Sequence, residues 1–297
     1  MKWPFFKMHG CGNSMVVVSM PQEQQNEASH WARLLCSLGI GIGSDGLMLI
    51  DPDTLNPIHV AMYNPDGSPM GMCGNGIRCV VRYLMEIMKR GPGEGGAFHF
   101  IVEGRSITCW PIDNGRQVRV DMGAPVLEAA DIPCTRTSIL EQPITAAGQT
   151  FTSSAIGMGN PHCVIFCDDV AGVALQILGP ALEHHPEYPK RTNVTFAQVL
   201  SRTHLKARVW ERGAGVTLAC GTAACATAVA AFLTNRTERE LTVSLPGGDL
   251  LIDFNESDNR VYMTGPAAFV GEIKLADEMV ALMGGGLLQG SHGGRTQ

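Results

Sequence analysis

The chain lacks several features that would assign it to a common class. No apolar run is long enough to cross a bilayer, which takes about 20 consecutive apolar residues. The first residues, Met1-Lys2-Trp3-Pro4-Phe5-Phe6-Lys7, hold neither a long apolar stretch nor a small-residue cleavage site, so no secretory signal and a cytoplasmic address are expected. Basic charge is not in excess. A formal net charge of −6 and a pI near 5.8 argue against nucleic acid as a partner, because phosphate binding wants a basic face. There are ten cysteines but no Cys-x-x-Cys; the near pairs are Cys73–Cys79, Cys163–Cys167 and Cys220–Cys225. That spacing argues against a zinc site and against a local redox pair. Nothing directs the chain to an oxidising compartment, so a disulfide framework is not expected either. No stretch resembles a pyridoxal phosphate lysine site. Cys36, Cys109 and Cys167 sit among apolar neighbours and read as buried small hydrophobes.

What is present is a globular composition: 297 residues, 45% hydrophobic and 17% charged, enough for two domains with their own cores. Phe5–Met20 reads as two strands around the turn His9-Gly10-Cys11-Gly12-Asn13. Ala28–Leu38 has helical spacing, with Trp31, Leu34, Leu35 and Leu38 on one side. Leu47–Ile50 and Ile58–Tyr63 read as strands, and Asn64-Pro65-Asp66-Gly67 as a turn. A helix is predicted from Cys73-Gly74 to about Lys89, ended by the Gly-Pro-Gly stretch after it. Phe98–Val102, Ile107–Ile112 and Val118–Met122 read as a meander.

The second half repeats the first. Cys220 lies 147 positions after Cys73, Gly159-Asn160 lies 147 after Gly12-Asn13, and Glu211 lies 147 after Asn64. Val118–Gly123 resembles Arg260–Gly265 at a slightly shorter offset. Three landmarks in one register predict an α/β (α+β) fold of two pseudo-symmetric domains. Each would be a curved, mostly antiparallel sheet wrapped around a central helix, with the active site in the interdomain cleft. The expected division is 1–123 plus 272–297 for one domain and 124–271 for the other. Crossings fall near Gly123–Val126 and Pro266–Gly271, and the tail Gly284–Gln297 is expected to be disordered.

The repeated phrase, Cys73-Gly74-Asn75 and Cys220-Gly221-Thr222, starts a helix each time. The unpaired amides of a helix N-terminus favour a thiolate and bind anions. Two such starts facing each other would clamp one carboxylate through Gly74, Asn75, Gly221 and Thr222. The glycines let it come close where a Cβ would not. The α-carbon of that ligand would then lie between Cys73 and Cys220. A base on one face and an acid on the other is what inversion of a stereocentre requires. The charge that develops on the carboxylate would be held by the helix amides. No cofactor and no metal are needed.

At these residues the chain resembles the diaminopimelate epimerase family, from Phe6 to about Ile273. The resemblance rests on Lys7-Met8-x-Gly10-x-Gly12-Asn13, Asn64-Pro65-Asp66-Gly67-Ser68, Met72–Cys79, Gly159-Asn160-Pro161-His162, Thr192-Asn193-Val194 and Glu211-Arg212-Gly213 leading to Ala219–Thr222. Shorter subsets are shared with proline racemase-like and phenazine-biosynthesis-like proteins. The resemblance implies LL-diaminopimelate as substrate and the meso isomer as product, Cys73 and Cys220 as the two bases, and a homodimer. It also implies substrate contacts from Asn13, Asn64, Asn160, Asn193, Glu211 and Arg212. Arg212 suits a carboxylate through its fork, Glu211 an ammonium, and the asparagines a zwitterionic centre. His162 is expected either to orient a thiol or a substrate-facing group, or to be structural; Asp66 is expected to hold its own turn. Ser14-Met15, Gly46 and Met72 depart from the residues common in relatives. Three rivals stand beside this reading: an epimerase for another amino acid, a thiol–disulfide protein, and a non-catalytic amino-acid binding module.

Overall fold

The protein is described by a computed structural model covering residues 4–284; the expected disordered tail lies, beyond Gly284, outside the described residues. The first half runs β1 (Phe5–Gly10), β2 (Asn13–Ser19), α1 (Ala28–Leu35), β3 (Gly46–Ile50), β4 (Ile58–Tyr63), α2 (Gly74–Glu86), β5 (Phe98–Val102), β6 (Arg105–Ile112) and β7 (Gln117–Gly123). The second runs β8 (Gln142–Ala146), β9 (Gln149–Gly157), β10 (Pro161–Phe166), α3 (Leu175–Glu183), β11 (Asn193–Ser201), β12 (His204–Glu211), β13 (Gly215–Thr217), α4 (Gly221–Leu233), β14 (Glu240–Leu245), β15 (Gly248–Phe254) and β16 (Val261–Pro266). Then β17 (Ala268–Ile273) and α5 (Asp277–Leu282) close the chain. This is the mixed, sheet-dominated and mostly antiparallel architecture that the repeat predicts.

The pairing pattern of the first half is copied in the second. β1–β2 and β3–β4 are antiparallel, β2–β3 and β4–β5 parallel, and β5–β6–β7 an antiparallel meander. The counterparts are β9–β10 and β11–β12, then β10–β11 and β12–β14, then β14–β15–β16. Even the register corresponds: Met15 faces Gly46 in one half, and His162 faces Asn193 in the other. The two similar stretches at 118–123 and 260–265 pair with each other, β7 running antiparallel to β16. That ladder joins the halves.

Each half curls around one buried helix. Along α2, Ile77, Val80, Val81 and Leu84 pack with Met8, Val17, Met48 and Phe100. Along α4 the wall is almost all alanine: Ala223, Ala224, Ala226, Ala228, Ala230 and Ala231 are fully buried. A helix apolar on every side belongs inside, and its small side chains let the surrounding strands come close. Met122 packs against both cores.

Two helix ends differ from the expectation. α1 stops at Leu35, because the Gly-rich segment after it folds back and both Ile42 and Gly43 donate their amides to the Leu35 carbonyl. Leu38, expected on the apolar side of that helix, stands exposed. α2 stops at Glu86 rather than near Lys89; Lys89 is left-handed (φ 55°) and Arg90 N–H returns to the Leu84 carbonyl. Of the three cysteines expected in the core, Cys36 and Cys109 are buried and Cys167 is half-exposed. It lies just past the end of β10, where burial falls off.

Gly179 shows how tightly the outer helix packs. It lies on α3 against the indole of Trp210, whose Nε1 donates to buried Glu183 at 2.7 Å. A methyl at Gly179 would run into that ring. Gly179→Ala is therefore expected to destabilise the fold by about 1–3 kcal/mol, measured as a fall in the urea midpoint at unchanged slope.

Candidate active site

Both central helices begin on a cysteine. Cys73 and Cys220 are the N-caps of α2 and α4, with nearly the same extended backbone: φ −115°, ψ 108° and φ −127°, ψ 115°. The first amides of each helix have no partner inside it. In α2 the Gly76 N–H is taken by Cys73 Sγ at 3.4 Å. In α4 the Cys220 sulfur lies 3.5 Å from Thr222 Oγ1.

The two starts abut. A Cβ on Gly221 would stand 3.9 Å from Gly74 Cα. Met263 on β16 lies under both: a Cβ on Gly74 would be 2.5 Å from its Cε, and one on Gly221 3.0 Å from its Sδ. A side chain at either glycine would therefore have to displace the Met263 side chain beneath the junction.

A cleft of about 280 Å³ opens over this junction. The expected residues on its wall are Asn13, Asn64, Cys73, Gly74, Asn75, Asn160, Glu211, Cys220, Gly221 and Thr222. Asn193, Arg212 and His162 do not line it. Asn193 is buried behind the wall, its Nδ2 donating to the Pro161 carbonyl (3.1 Å) and its Oδ1 accepting from Arg212 N–H (3.0 Å). Exposed Arg212 sends Nη1 to the Lys190 carbonyl at 3.1 Å. His162, fully buried, donates from Nε2 to Asn160 Oδ1 at 2.7 Å, while its Nδ1 meets no polar partner among the described residues. That bond assigns the Nε2–H tautomer and leaves the Asn160 NH₂ for other use. Asn64 holds its own turn through Ser68 Oγ (3.0 Å) and the Pro69 carbonyl (3.2 Å), and Asp66 accepts from Ser68 as expected.

Burial dominates the electrostatics. It pushes the Cys73 thiol up, against the Gly76 amide, which pulls it down; the Glu211 charge adds to the rise and the Arg78 charge opposes it. Cys220 is pushed well above the ordinary thiol range, by burial first and then by the Glu211 carboxylate. Glu211 is itself raised by burial, with the Thr217 hydroxyl at 2.6 Å pulling the other way. His162 is lowered to about 3, by burial and then by the charge of Arg212, and so stays neutral. A desolvated thiolate is costly to form and correspondingly basic, which suits removal of a proton from carbon.

Asp45 on the wall and Arg78 behind it were missed from sequence. Asp45 holds the Asn13 side chain (Nδ2 to Oδ2, 3.0 Å) and the Ser14 N–H (2.7 Å). Its only signal was its place in a Gly-rich turn. Arg78, fully buried one turn into α2, touches Gly74 and Asn75; an arginine in a helix gives no sign of facing inward. No group of three or more His, Cys, Asp or Glu among the described residues has the placement to hold a metal ion.

Comparison with known proteins follows this geometry. The family model described as diaminopimelate epimerase matches residues 5–128 and 154–270. A diaminopimelate epimerase of Moorella thermoacetica is 48% identical over 276 residues, covering 90% of this chain and 96% of its own. One from Synechocystis sp. is 44% identical over 279 residues, covering 91% and 99%. Among solved structures, a phenazine biosynthesis protein of the PhzF family from Enterococcus faecalis superposes with TM-score 0.68 at 15% identity, over 93% of this chain and all of its own. A hydroxyproline epimerase from Agrobacterium vitis, solved with bound trans-4-hydroxy-L-proline, gives 0.63 at 14% over 91% of each chain. The structural matches share the fold; the sequence matches go further, and by them this chain belongs to the diaminopimelate epimerase family.

Proposed function

We propose that the protein interconverts LL-2,6-diaminopimelate and meso-diaminopimelate through two opposed thiols, without a cofactor, as a step of lysine and peptidoglycan precursor synthesis. The observation that carries this is the meeting of two cysteine-capped helix starts at one cleft. The substrate carboxylate would sit on the amides of Gly74, Asn75, Gly221 and Thr222. One cysteine, as thiolate, takes the α-proton, and the electron pair of the C–H bond delocalises into the carboxylate. The helix amides stabilise that charge most in the transition state. The opposite thiol then gives its own proton to the other face of the carbon, and the two sulfurs have exchanged protonation states. Relatives at 40–48% identity share the name diaminopimelate epimerase, which does not favour an epimerase for another amino acid.

The remaining contacts are part of the same proposal. Glu211 would take an ammonium group, with Asn13, Asn64 and Asn160 serving the zwitterionic ends. Arg212 would exchange its bond to the Lys190 carbonyl for the distal carboxylate, with Asn193 holding its backbone. His162 acts through Asn160, by fixing its amide. For the domain division, strand pairing favours a return crossing at Ala267, since β17 pairs with β1 from Ala268, ahead of the expected boundary at 272. No helix among the described residues is long and apolar enough to cross a membrane. A cytoplasmic address and a homodimer complete the proposal.

Incubation with LL-diaminopimelate in heavy water under reducing conditions is expected to place one deuterium at the inverted α-carbon as the meso isomer forms. Cys73→Ala and Cys220→Ala should each abolish epimerisation. Full activity in either variant would sink the two-thiol mechanism.

The Glu211 carboxylate faces Cys220 and opposes its ionisation. Removing that charge in Glu211→Gln should therefore lower the Cys220 pKa. The pH profile of iodoacetamide alkylation at Cys220, read by peptide mass mapping, is expected to move to lower pH. A shift to higher pH, or none, would show that the carboxylate does not act on this thiol.

A further inference from the structure

Among the described residues Arg78 is the largest fully buried side chain, and no carboxylate pairs with it. An unpaired buried charge is held against a large desolvation cost, so the groups around it need a reason. Its guanidinium is met by no carboxylate: Nε donates to the Pro266 carbonyl at 3.0 Å, Nη1 to the Gly74 carbonyl at 3.2 Å with Met263 Sδ at 3.8 Å, and Nη2 to Asn75 Oδ1 at 2.9 Å with Cys11 Sγ at 3.8 Å. Burial lowers its pKa, though from a value high enough that the group remains a cation.

The space is built to take it. A Cβ on Gly10 would lie 2.7 Å from Nη2, and a Cβ on Gly265 3.1 Å from Cζ. Gly10 ends β1 and Gly265 lies in β16, so a glycine from each half leaves room for the guanidinium.

The consequence is at Asn75. A guanidinium has donors and no acceptor, so it forces the Asn75 oxygen to face Arg78. The Asn75 NH₂ must then face the other way, and it does: Nδ2 donates to the Ala219 carbonyl and to Asn13 Oδ1, both at 3.2 Å. Ala219 is the residue before Cys220, and Asn13 Oδ1 also lies 3.8 Å from Cys73 Sγ. A continuous chain of hydrogen bonds thus runs from Pro266 through Arg78 and Asn75 to the residue preceding Cys220, with Gly74 as a side branch.

We propose that Arg78 is a positioning residue that orients the Asn75 amide and through it sets the two cysteine-capped helix starts against each other. It touches no reacting atom. The proposal rests on the two-thiol reading above and adds to it the device that keeps the two clamps in register. Amide donors misplaced by an ångström at a developing charge cost about 10²-fold in rate.

The test is a double-mutant cycle in LL-diaminopimelate turnover with Arg78→Met, Asn75→Ala and the two combined. Arg78→Met is expected to lower kcat about 10²-fold with KM changed by less than about threefold, because the loss falls on the transition state. The double variant should be no slower than Asn75→Ala alone, since one residue acts through the other. Arg78→Lys should fail to restore the rate, because an ammonium cannot span three fixed acceptors. A folded Arg78→Met with wild-type kcat, losses that multiply in the double variant, or full rescue by lysine would each overturn the proposal. Should Arg78→Met not fold, Gly10→Ala, whose Cβ would lie 2.7 Å from Nη2, takes its place with the same expected split between kcat and KM. Wild-type protein inert toward LL-diaminopimelate would defeat the functional reading instead. Iodoacetamide alkylation of Cys73 then reads the positioning role, and a rate unchanged in Arg78→Met overturns it.

Discussion

An α-helix leaves its first N–H groups without partners inside itself, and burying them requires that something else supply acceptors. In this protein two helices end their exposure to solvent at the same point, start against start. Two helix dipoles brought start to start repel each other, since each start carries partial positive charge. The fold holds that arrangement with a β-ladder between the halves, a methionine wedged beneath the junction, and hydrogen bonds from Asn75. Under the proposed function a bound carboxylate would relieve it, with the two cysteines at the cap positions beside those amides.

The two thiols share a backbone conformation and differ in their surroundings. Cys73 has an amide of its own helix on its sulfur and the Arg78 cation within electrostatic reach. Cys220 has a hydroxyl and a carboxylate. At rest the Glu211 carboxylate opposes ionisation of both thiols, and at Cys73 the Arg78 cation and an amide of its own helix work the other way. Under the proposed two-thiol reaction the pair would hold one proton between them, and their titrations would then belong to the pair.

Much of this was legible in the residues. The 147-residue register named the cysteines, the Gly-Asn turns and the Asn64–Glu211 equivalence, and the strand pairings follow it down to Met15–Gly46 against His162–Asn193. Local signals placed most strands, because alternation and turn residues act over a few positions. Helix ends were less accessible: Leu38 has the spacing for α1, but the return of the glycine-rich segment onto Leu35 is a contact that no periodicity reports. The family resemblance offered Asn193 and Arg212 as substrate contacts; in the structure Arg212 turns toward Lys190 and Asn193 lies buried behind the wall, accepting from Arg212 N–H. Arg78 was invisible for a different reason. Its acceptors come from Pro266 and from its own helix, and the glycines that admit it lie far away in sequence.

The antiparallel ladder between β7 and β16 pairs two stretches that resemble one another, which gives the two halves a near-twofold relation at that seam. A site with true twofold symmetry would present the same surroundings on either side of the bound α-carbon. A rotation does not interchange the two hands of a carbon, but a site invariant under it could not choose which way the rest of the molecule extends. Under the proposed function that choice would come from the cleft positions where the halves differ, Asn64 against Glu211 and Asn75 against Thr222.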